Sequence, residues 1–171
     1  MKETLERARA VRLAIFDVDG VLTDGTLWIG AQGEAFKAFN ILDGQGVKML
    51  QAAGVDTAIL SGRDSEAVLR RAAELSIRHV VQGASDKLAA FEELLAQSGY
   101  RAQACSFMGD DLPDLPVLQR CGFAVAVANA VDAVKAAAHY VTQASGGRGA
   151  VREFSDLVLR AQGQLASSPA V

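Results

Sequence analysis

The sequence predicts an α/β fold in which a parallel β-sheet is covered by helices on both faces. Short, near-continuous apolar runs rich in Ala, Val, Ile and Leu alternate with longer amphipathic stretches, the pattern of strands buried on both sides by crossover helices. Half of the 171 residues are hydrophobic, and a chain of this size buries roughly 70% of its unfolded surface. Asp17, Ser61 and Asp110 each stand at the exit of a predicted strand, where open α/β sheets bind their ligands.

Taken in order, the elements read as follows. Residues 1–12 are charged and hold no apolar stretch of signal-peptide length, and no run approaches the roughly 20 apolar residues that span a bilayer. Residues 11–16 form the first strand, which ends at Asp17. Residues 26–40 interrupt the alternation: two strand-like runs flank Gly30-Ala31-Gln32-Gly33, predicting a β-hairpin over 26–39 that carries Trp28, Phe36 and Phe39. A hairpin alone is marginal in water. Its apolar residues therefore either fold back on the core or form a subunit contact. Residues 40–44 read as a polar loop at the hairpin base. Further strands are predicted over 55–60, 77–81, 104–108, 123–128 and 140–141, and helices over 44–53, 65–75, 86–97, 114–120, 130–138 and 150–161. Gly146-Gly147-Arg148-Gly149 is too flexible for a core element; it either laps over a site or links to the last helix. Residues 167–171 read as a frayed tail, and the whole of 1–171 as one domain.

The formal charge of −3 and the lack of a basic tail give no electrostatic footprint for nucleic acid. Cys105 and Cys121 lie in apolar runs with no C-x-x-C spacing, so buried free thiols are expected in a reducing, cytoplasmic setting.

The chemistry is carried by four runs: Phe16-Asp17-Val18-Asp19-Gly20-Val21-Leu22-Thr23-Asp24-Gly25, Leu60-Ser61-Gly62-Arg63, Lys87, and Gly109-Asp110-Asp111-Leu112-Pro113-Asp114. A carboxylate such as Asp17 can attack phosphorus if a cation masks the repulsion between the two anions. Asp19, two residues on, is placed to protonate the leaving oxygen and later to deprotonate the attacking water. The Ser61 hydroxyl and nearby backbone N–H groups can hold a phosphoryl oxygen, or Ser61 can cap the following helix. Lys87 can offset charge on the nucleophile and the phosphoryl group. The late acidic cluster suits Mg²⁺, which takes hard oxygen ligands. Asp17 and Asp110 are expected as direct carboxylate ligands, Asp19 through its carbonyl, and Asp111 or Asp114 behind them. The two histidines, His79 and His139, look like strand-end packing. Arg63 and Arg71 are candidates for a carboxylate or phosphate of a substrate, although Arg71 also fits a solvated helix face. Asn40, Asp43 and Gly44 suit hydroxyl groups of a substrate, and Arg148 is a further candidate anion contact.

The four runs resemble the motifs of the haloacid dehalogenase superfamily, and the resemblance spans nearly the whole chain. It implies a Rossmann-like, doubly wound core, Mg²⁺, and an aspartyl-phosphate on Asp17. About 36 residues separate Asp24 from Ser61, and about 24 separate Gly62 from Lys87; neither interval holds a cap domain, so the chain resembles the capless subclass. Within it, Lys37-x-x-Asn40-x-x-Asp43-Gly44-x-Gly46, Ser61-Gly62-Arg63-x-Ser65, Ala138-His139-Tyr140-Val141-Thr142 and Gly146-Gly147-x-Gly149-Ala150-Val151-Arg152-Glu153 resemble the family of 3-deoxy-D-manno-octulosonate 8-phosphate phosphatases. That resemblance implies a place in lipopolysaccharide precursor synthesis. It also implies a homotetramer whose central contact is the hairpin and whose neighbouring subunits cover each other's sites.

Two alternatives bear on function. Receiver domains also gather acids, Ser/Thr and Lys around Mg²⁺, but they place adjacent acids after the first strand and the phosphorylated aspartate after the third. Here the D-x-D motif comes first and the acidic pair last. A phosphatase for a related nine-carbon acid sugar phosphate stays open beside the eight-carbon one.

Overall fold

The computed structural model describes residues 2–165; the tail expected over 167–171 lies outside them. Its centre is a six-stranded sheet built from β1 (Leu13–Phe16), β4 (Asp56–Leu60), β5 (His79–Val81), β6 (Cys105–Gly109), β7 (Phe123–Ala126) and β8 (Tyr140–Val141), in the order β5-β4-β1-β6-β7-β8. All neighbours pair in parallel. The chain steps outward from β1 to β5, returns to β6 on the other side of β1, and steps outward again to β8. This reversal next to β1 is the switch point at which doubly wound sheets open a crevice.

All four residues of β1 are fully buried, as a central strand covered on both faces requires. Phe154, from the last helix α7 (Ala150–Ala161), meets Phe16 edge-on with centroids 5.9 Å apart. The opening helix α1 (Lys2–Ala10) and α2 (Ile41–Ala52) pack against α7. Beyond β6, α5 (Leu115–Arg120) packs against α4 (Lys87–Ser98) and α6 (Asp132–Ala137). The remaining helix, α3 (Glu66–Glu74), joins β4 to β5. Among the described residues no helix is long and apolar enough to cross a membrane.

The hairpin pairs β2 (Trp28–Gly30) antiparallel with β3 (Gly33–Phe36). Its two strands do not bury their aromatics in the core: Trp28 stacks on Phe36 with centroids 5.1 Å apart, and both stay about half exposed, whereas Phe39, beyond β3, packs against the core.

Two segments differ from the sequence expectation. Residues 2–10, for which the sequence predicted no element, are helical; α1 buries only Ala8 fully, too narrow an apolar stripe to register as a periodicity. Helix α2 begins at Ile41, so residues 41–44 are its first turn rather than a polar loop. Asn40 is its cap, its Oδ1 accepting from the N–H groups of Leu42 (2.8 Å) and Asp43 (3.4 Å).

Candidate active site

Because β4, β1 and β6 are neighbours in parallel register, their carboxyl ends bring Ser61, Asp17 and Asp110 side by side. A cleft of about 400 Å³ opens there, lined by Asp17, Asp19, Ser61, Gly62, Arg63, Lys87, Asp110, Asp111 and Asp114, with Ala84, Ser85 and Pro113. Among the described residues no further element lies across it as a cap domain.

Asp17 leaves β1 with its N–H bonded to the Met108 carbonyl (3.0 Å), locked to the neighbouring strand. The chain then turns sharply at Gly20, whose φ of +95° suits only glycine. A Cβ there would stand 2.1 Å from Asp110 Oδ2, so the missing side chain also gives the Asp110 carboxylate its place. Thr23 closes the turn: its Oγ1 accepts from the N–H of Gly20 (3.4 Å) and of Gly25 (3.2 Å). The Gly-rich segment supports this loop from behind. The Gly147 N–H donates to the Val21 carbonyl (2.9 Å), and a Cβ on Gly146 would collide with the Gly20 carbonyl. Segment 146–149 is thus packed under the Asp17 loop rather than lapping over the cleft. Arg148 faces outward and reaches Asp24 at 3.2 Å.

Lys87, the first residue of α4, is buried and donates to Asp17 Oδ1 (2.8 Å) and Asp114 Oδ1 (2.6 Å). The other oxygen of Asp114 accepts from the N–H groups of Asp110 (2.9 Å) and Asp111 (3.2 Å). Asp114 is therefore a brace that sets the backbone carrying Asp110. Asp111 is exposed and caps the short 3₁₀ turn Leu112–Asp114 through the Leu112 N–H (2.8 Å).

Burial pushes the Asp17 carboxyl up to about 6, with the charge of Asp114 adding to it and Lys87 opposing. Burial, then the charges of Asp17 and Asp114, pushes Asp110 up to about 8. Burial works against the charge of Lys87, but Asp17 and Asp114 outweigh it and hold Lys87 above the ordinary lysine value. Oxygen atoms of Asp17, Asp110 and Asp114 lie within 4.8 Å of one another. One ammonium cannot neutralise three carboxylates this close. The all-oxygen, carboxylate-rich set fits a hard divalent cation, and since Asp114 is spent on Lys87 and on the Asp110 and Asp111 N–H groups, Asp17 and Asp110 are the two that remain to meet it.

Ser61 follows β4, is buried, and accepts the Arg63 N–H through Oγ (3.3 Å). It caps no helix: α3 starts at Glu66, after Ser65, and the Ser61 hydroxyl faces the cleft. Arg63 is half exposed and faces Asp19 Oδ2 (3.6 Å) and Glu34 Oε2 (3.4 Å).

Four expected substrate contacts lie away from the cleft. Asn40 caps α2 and donates to the Gly147 carbonyl (3.3 Å). Asp43 is buried and accepts from the N–H groups of Gly149 (3.2 Å) and Arg152 (2.8 Å), capping the amino end of α7. Gly44 leaves the space into which Arg71 folds, since a Cβ would sit 2.3 Å from Arg71 Nη2. Arg71 pairs with Glu74 (3.0 Å) and lies over the Phe39 ring. Two hairpin residues that the sequence left without a site role stand here: Lys37 reaches Asp19, and Glu34 holds Lys37 at 3.0 Å. Lys37 contacts Asp19 from 18 positions along the chain, and only its place in the resemblance motif singled it out.

Fold and cleft together define a phosphoryl-transfer hydrolase of the capless haloacid dehalogenase type. Residues 76–154 match the model of the haloacid dehalogenase-like hydrolases. The chain is 47% identical over 163 residues to the 3-deoxy-D-manno-octulosonate 8-phosphate phosphatase KdsC of Yersinia pestis, covering 95% of this chain and 87% of that one. A crystal structure of a probable YrbI family phosphatase from Pseudomonas syringae superposes with a TM-score of 0.94 at 52% identity, over 96% and 94% of the two chains. That of the 3-deoxy-D-manno-octulosonate 8-phosphate phosphatase of Moraxella catarrhalis, in complex with a magnesium ion, a phosphate ion and a KDO molecule, superposes at 0.93 with 41% identity over 95% and 94%. The chain belongs to the family of 3-deoxy-D-manno-octulosonate 8-phosphate phosphatases.

Proposed function

We propose that this chain hydrolyses 3-deoxy-D-manno-octulosonate 8-phosphate to 3-deoxy-D-manno-octulosonate and phosphate, carrying the phosphoryl group transiently on Asp17. The observation that carries this is the juxtaposition of Asp17, Ser61 and Asp110 at three neighbouring strand ends, with Lys87 reaching in from the start of α4 and Asp19 on the rim. Lys87 holds Oδ1 of Asp17, which leaves Oδ2 to attack phosphorus. The P–O bond to the sugar breaks, its electron pair departs with the sugar oxygen, and Asp19 gives that oxygen a proton. Asp19, now a carboxylate, takes a proton from water; the water oxygen attacks phosphorus, and the bond to Asp17 breaks. The Ser61 hydroxyl and the Gly62 N–H hold phosphoryl oxygens, Lys87 offsets their charge, and Arg63 meets the substrate carboxylate. Asp17, Asp110 and the Asp19 carbonyl would hold Mg²⁺, which supplies charge neutralisation between the attacking carboxylate and the phosphoryl group.

The same proposal places the enzyme in the cytoplasm, in lipopolysaccharide precursor synthesis, and assembles it as a homotetramer. An open cleft and a hairpin with Trp28 48%, Ile29 65% and Phe36 54% exposed support an assembly in which a neighbour covers the site. Phosphate release in Mg²⁺ tests the substrate. A kcat/KM at least roughly tenfold higher for the eight-carbon acid than for its nine-carbon analogue or ordinary sugar phosphates is expected, a margin of about 1.4 kcal/mol. Equal rates across these esters would overturn the assignment.

A further inference from the structure

Asp19 has to bring a proton to the ester oxygen, yet it sits on a loop with 22% of its side chain exposed. The hairpin removes that freedom. Lys37 lies just beyond β3 with only 2% of its side chain exposed, and its Nζ contacts Asp19 Oδ1 on one side and Glu34 Oε2, at 3.0 Å, on the other. Glu34 is itself fixed: its Oε1 accepts from the Ser65 hydroxyl (2.5 Å), and its Oε2 faces Arg63 Nη2 (3.4 Å). A lysine is normally a mobile point charge on a flexible stem. Here it is sealed between two carboxylates, one of which is anchored to the residues that follow Ser61. Asp19 is also absent from the group of carboxylates drawn together beside Asp17. Its Oδ1 is turned to Lys37 of the hairpin, while Oδ2 lies toward the cleft, with Arg63 Nε 3.6 Å away and beyond hydrogen-bond distance.

We propose that Lys37, braced by Glu34, is a positioning residue for Asp19: it holds Oδ1 so that Oδ2 is the oxygen that delivers the proton to the departing sugar. The proposal rests on Asp19 being the acid, as set out above. When the P–O bond breaks and the Oδ2 proton moves to the ester oxygen, the carboxylate left behind already has its counter-ion in contact. Residues of the hairpin thus serve the chemistry of their own subunit, separately from any subunit contact.

Leaving-group dependence tests this. A sugar alkoxide must be protonated as it leaves, whereas p-nitrophenolate leaves without a proton, so loss of acid positioning slows the first far more than the second. Acid catalysis contributes about 10²–10⁴-fold, and a displacement of about 1 Å can cost 10²-fold. In single-turnover experiments with Mg²⁺, Lys37→Met is expected to slow sugar release roughly 100-fold and p-nitrophenolate release less than about 10-fold. Glu34→Gln should show the same bias with a smaller loss, and it carries the comparison alone if the Lys37 variant does not fold. Asp19→Asn is the reference. If it shows the bias while the Lys37 and Glu34 variants slow both esters alike, or neither, the positioning proposal is overturned and the acid assignment stands. If Asp19→Asn shows no bias, the acid assignment itself fails, and the proposal with it.

Discussion

Lys87 Nζ lies 2.8 Å from Asp17 Oδ1, and both side chains are more than nine-tenths buried. The same ammonium holds Asp114 at 2.6 Å. It is the one side-chain cation hydrogen-bonded to this buried carboxylate group among the described residues, so its removal leaves charges with no partner. Breaking a buried pair by deleting one member costs about 3–5 kcal/mol. Lys87→Met should therefore destabilise the Mg²⁺-free protein by about that amount and abolish turnover, with saturating Mg²⁺ restoring part of the stability but not the rate. Urea unfolding with and without Mg²⁺ reads this out; a variant as stable as the parent in EDTA would contradict it.

Gly20 makes room for the Asp110 carboxylate while holding a φ of +95°. Gly20→Ala meets both obstacles at once: a Cβ 2.1 Å from Asp110 Oδ2 and a backbone conformation that L-residues resist. Asp110 has to turn away, so the expected outcome is at least a 10-fold weaker Mg²⁺ requirement constant with the fold retained. Activity titrated against Mg²⁺, alongside circular dichroism, checks it.

The parts of this molecule that the sequence made legible are those that depend on local pattern. Runs such as Leu13–Phe16 are apolar throughout because both faces of a central strand are covered, and Asp17, Ser61 and Asp110 stand where those runs stop. Contacts made across distance stayed hidden. Asp43 looked like a free polar residue because its partners, Gly149 and Arg152, lie more than 100 positions away. Arg71 looked available to a substrate because nothing local reveals that Gly44 and Phe39 form its pocket. Lys37 meets Asp19 only because the hairpin folds over. Helix α1 was missed for the opposite reason: its sequence is polar nearly all round, and docking on α7 makes it a helix.

Metal and pH are linked through Asp17 and Asp110. Both titrate above the ordinary value of 3.8, near about 6 and about 8, chiefly because of burial. The folded protein therefore keeps protons that the unfolded chain has already lost, so these two groups favour folding at low pH. That contribution fades as pH rises from about 4 through about 8. A bound cation favours the ionised forms and reverses the loss. The Mg²⁺-induced rise in Tm should accordingly be larger at pH 8 than at pH 5.5. Thermal melts in EDTA and in Mg²⁺ at the two pH values decide it, and an increment that shrinks with pH would contradict the linkage.

Asp43 caps α7 from within α2, accepting the Gly149 and Arg152 N–H groups while almost fully buried. Asp43→Ala orphans those donors at a helix amino end, a loss of about 1–3 kcal/mol. Because the effect is on the scaffold under the Asp17 loop, Tm should fall while KM for the sugar phosphate stays within about twofold. A KM increase of tenfold or more, about 1.4 kcal/mol of binding, at an unchanged Tm would return Asp43 to the substrate.

Ile29 separates assembly from chemistry. It is 65% exposed, more than any other hairpin residue of its size, and takes no part in the Trp28–Phe36 stack or the Glu34–Lys37 brace. A charge there leaves the subunit's own contacts intact but cannot be buried in a subunit contact without a partner, which costs several kcal/mol per copy. Ile29→Asp should therefore sediment as a smaller species than the parent. Far-UV spectra should be unchanged, and kcat/KM should be lower because no neighbour then covers the cleft. Single-turnover p-nitrophenolate release, which needs only groups within one subunit, should fall less than kcat/KM for the sugar phosphate. If Ile29→Asp sediments like the parent, the hairpin is not the central contact, and the exposed Trp28, Ile29 and Phe36 serve something other than a second copy of this chain.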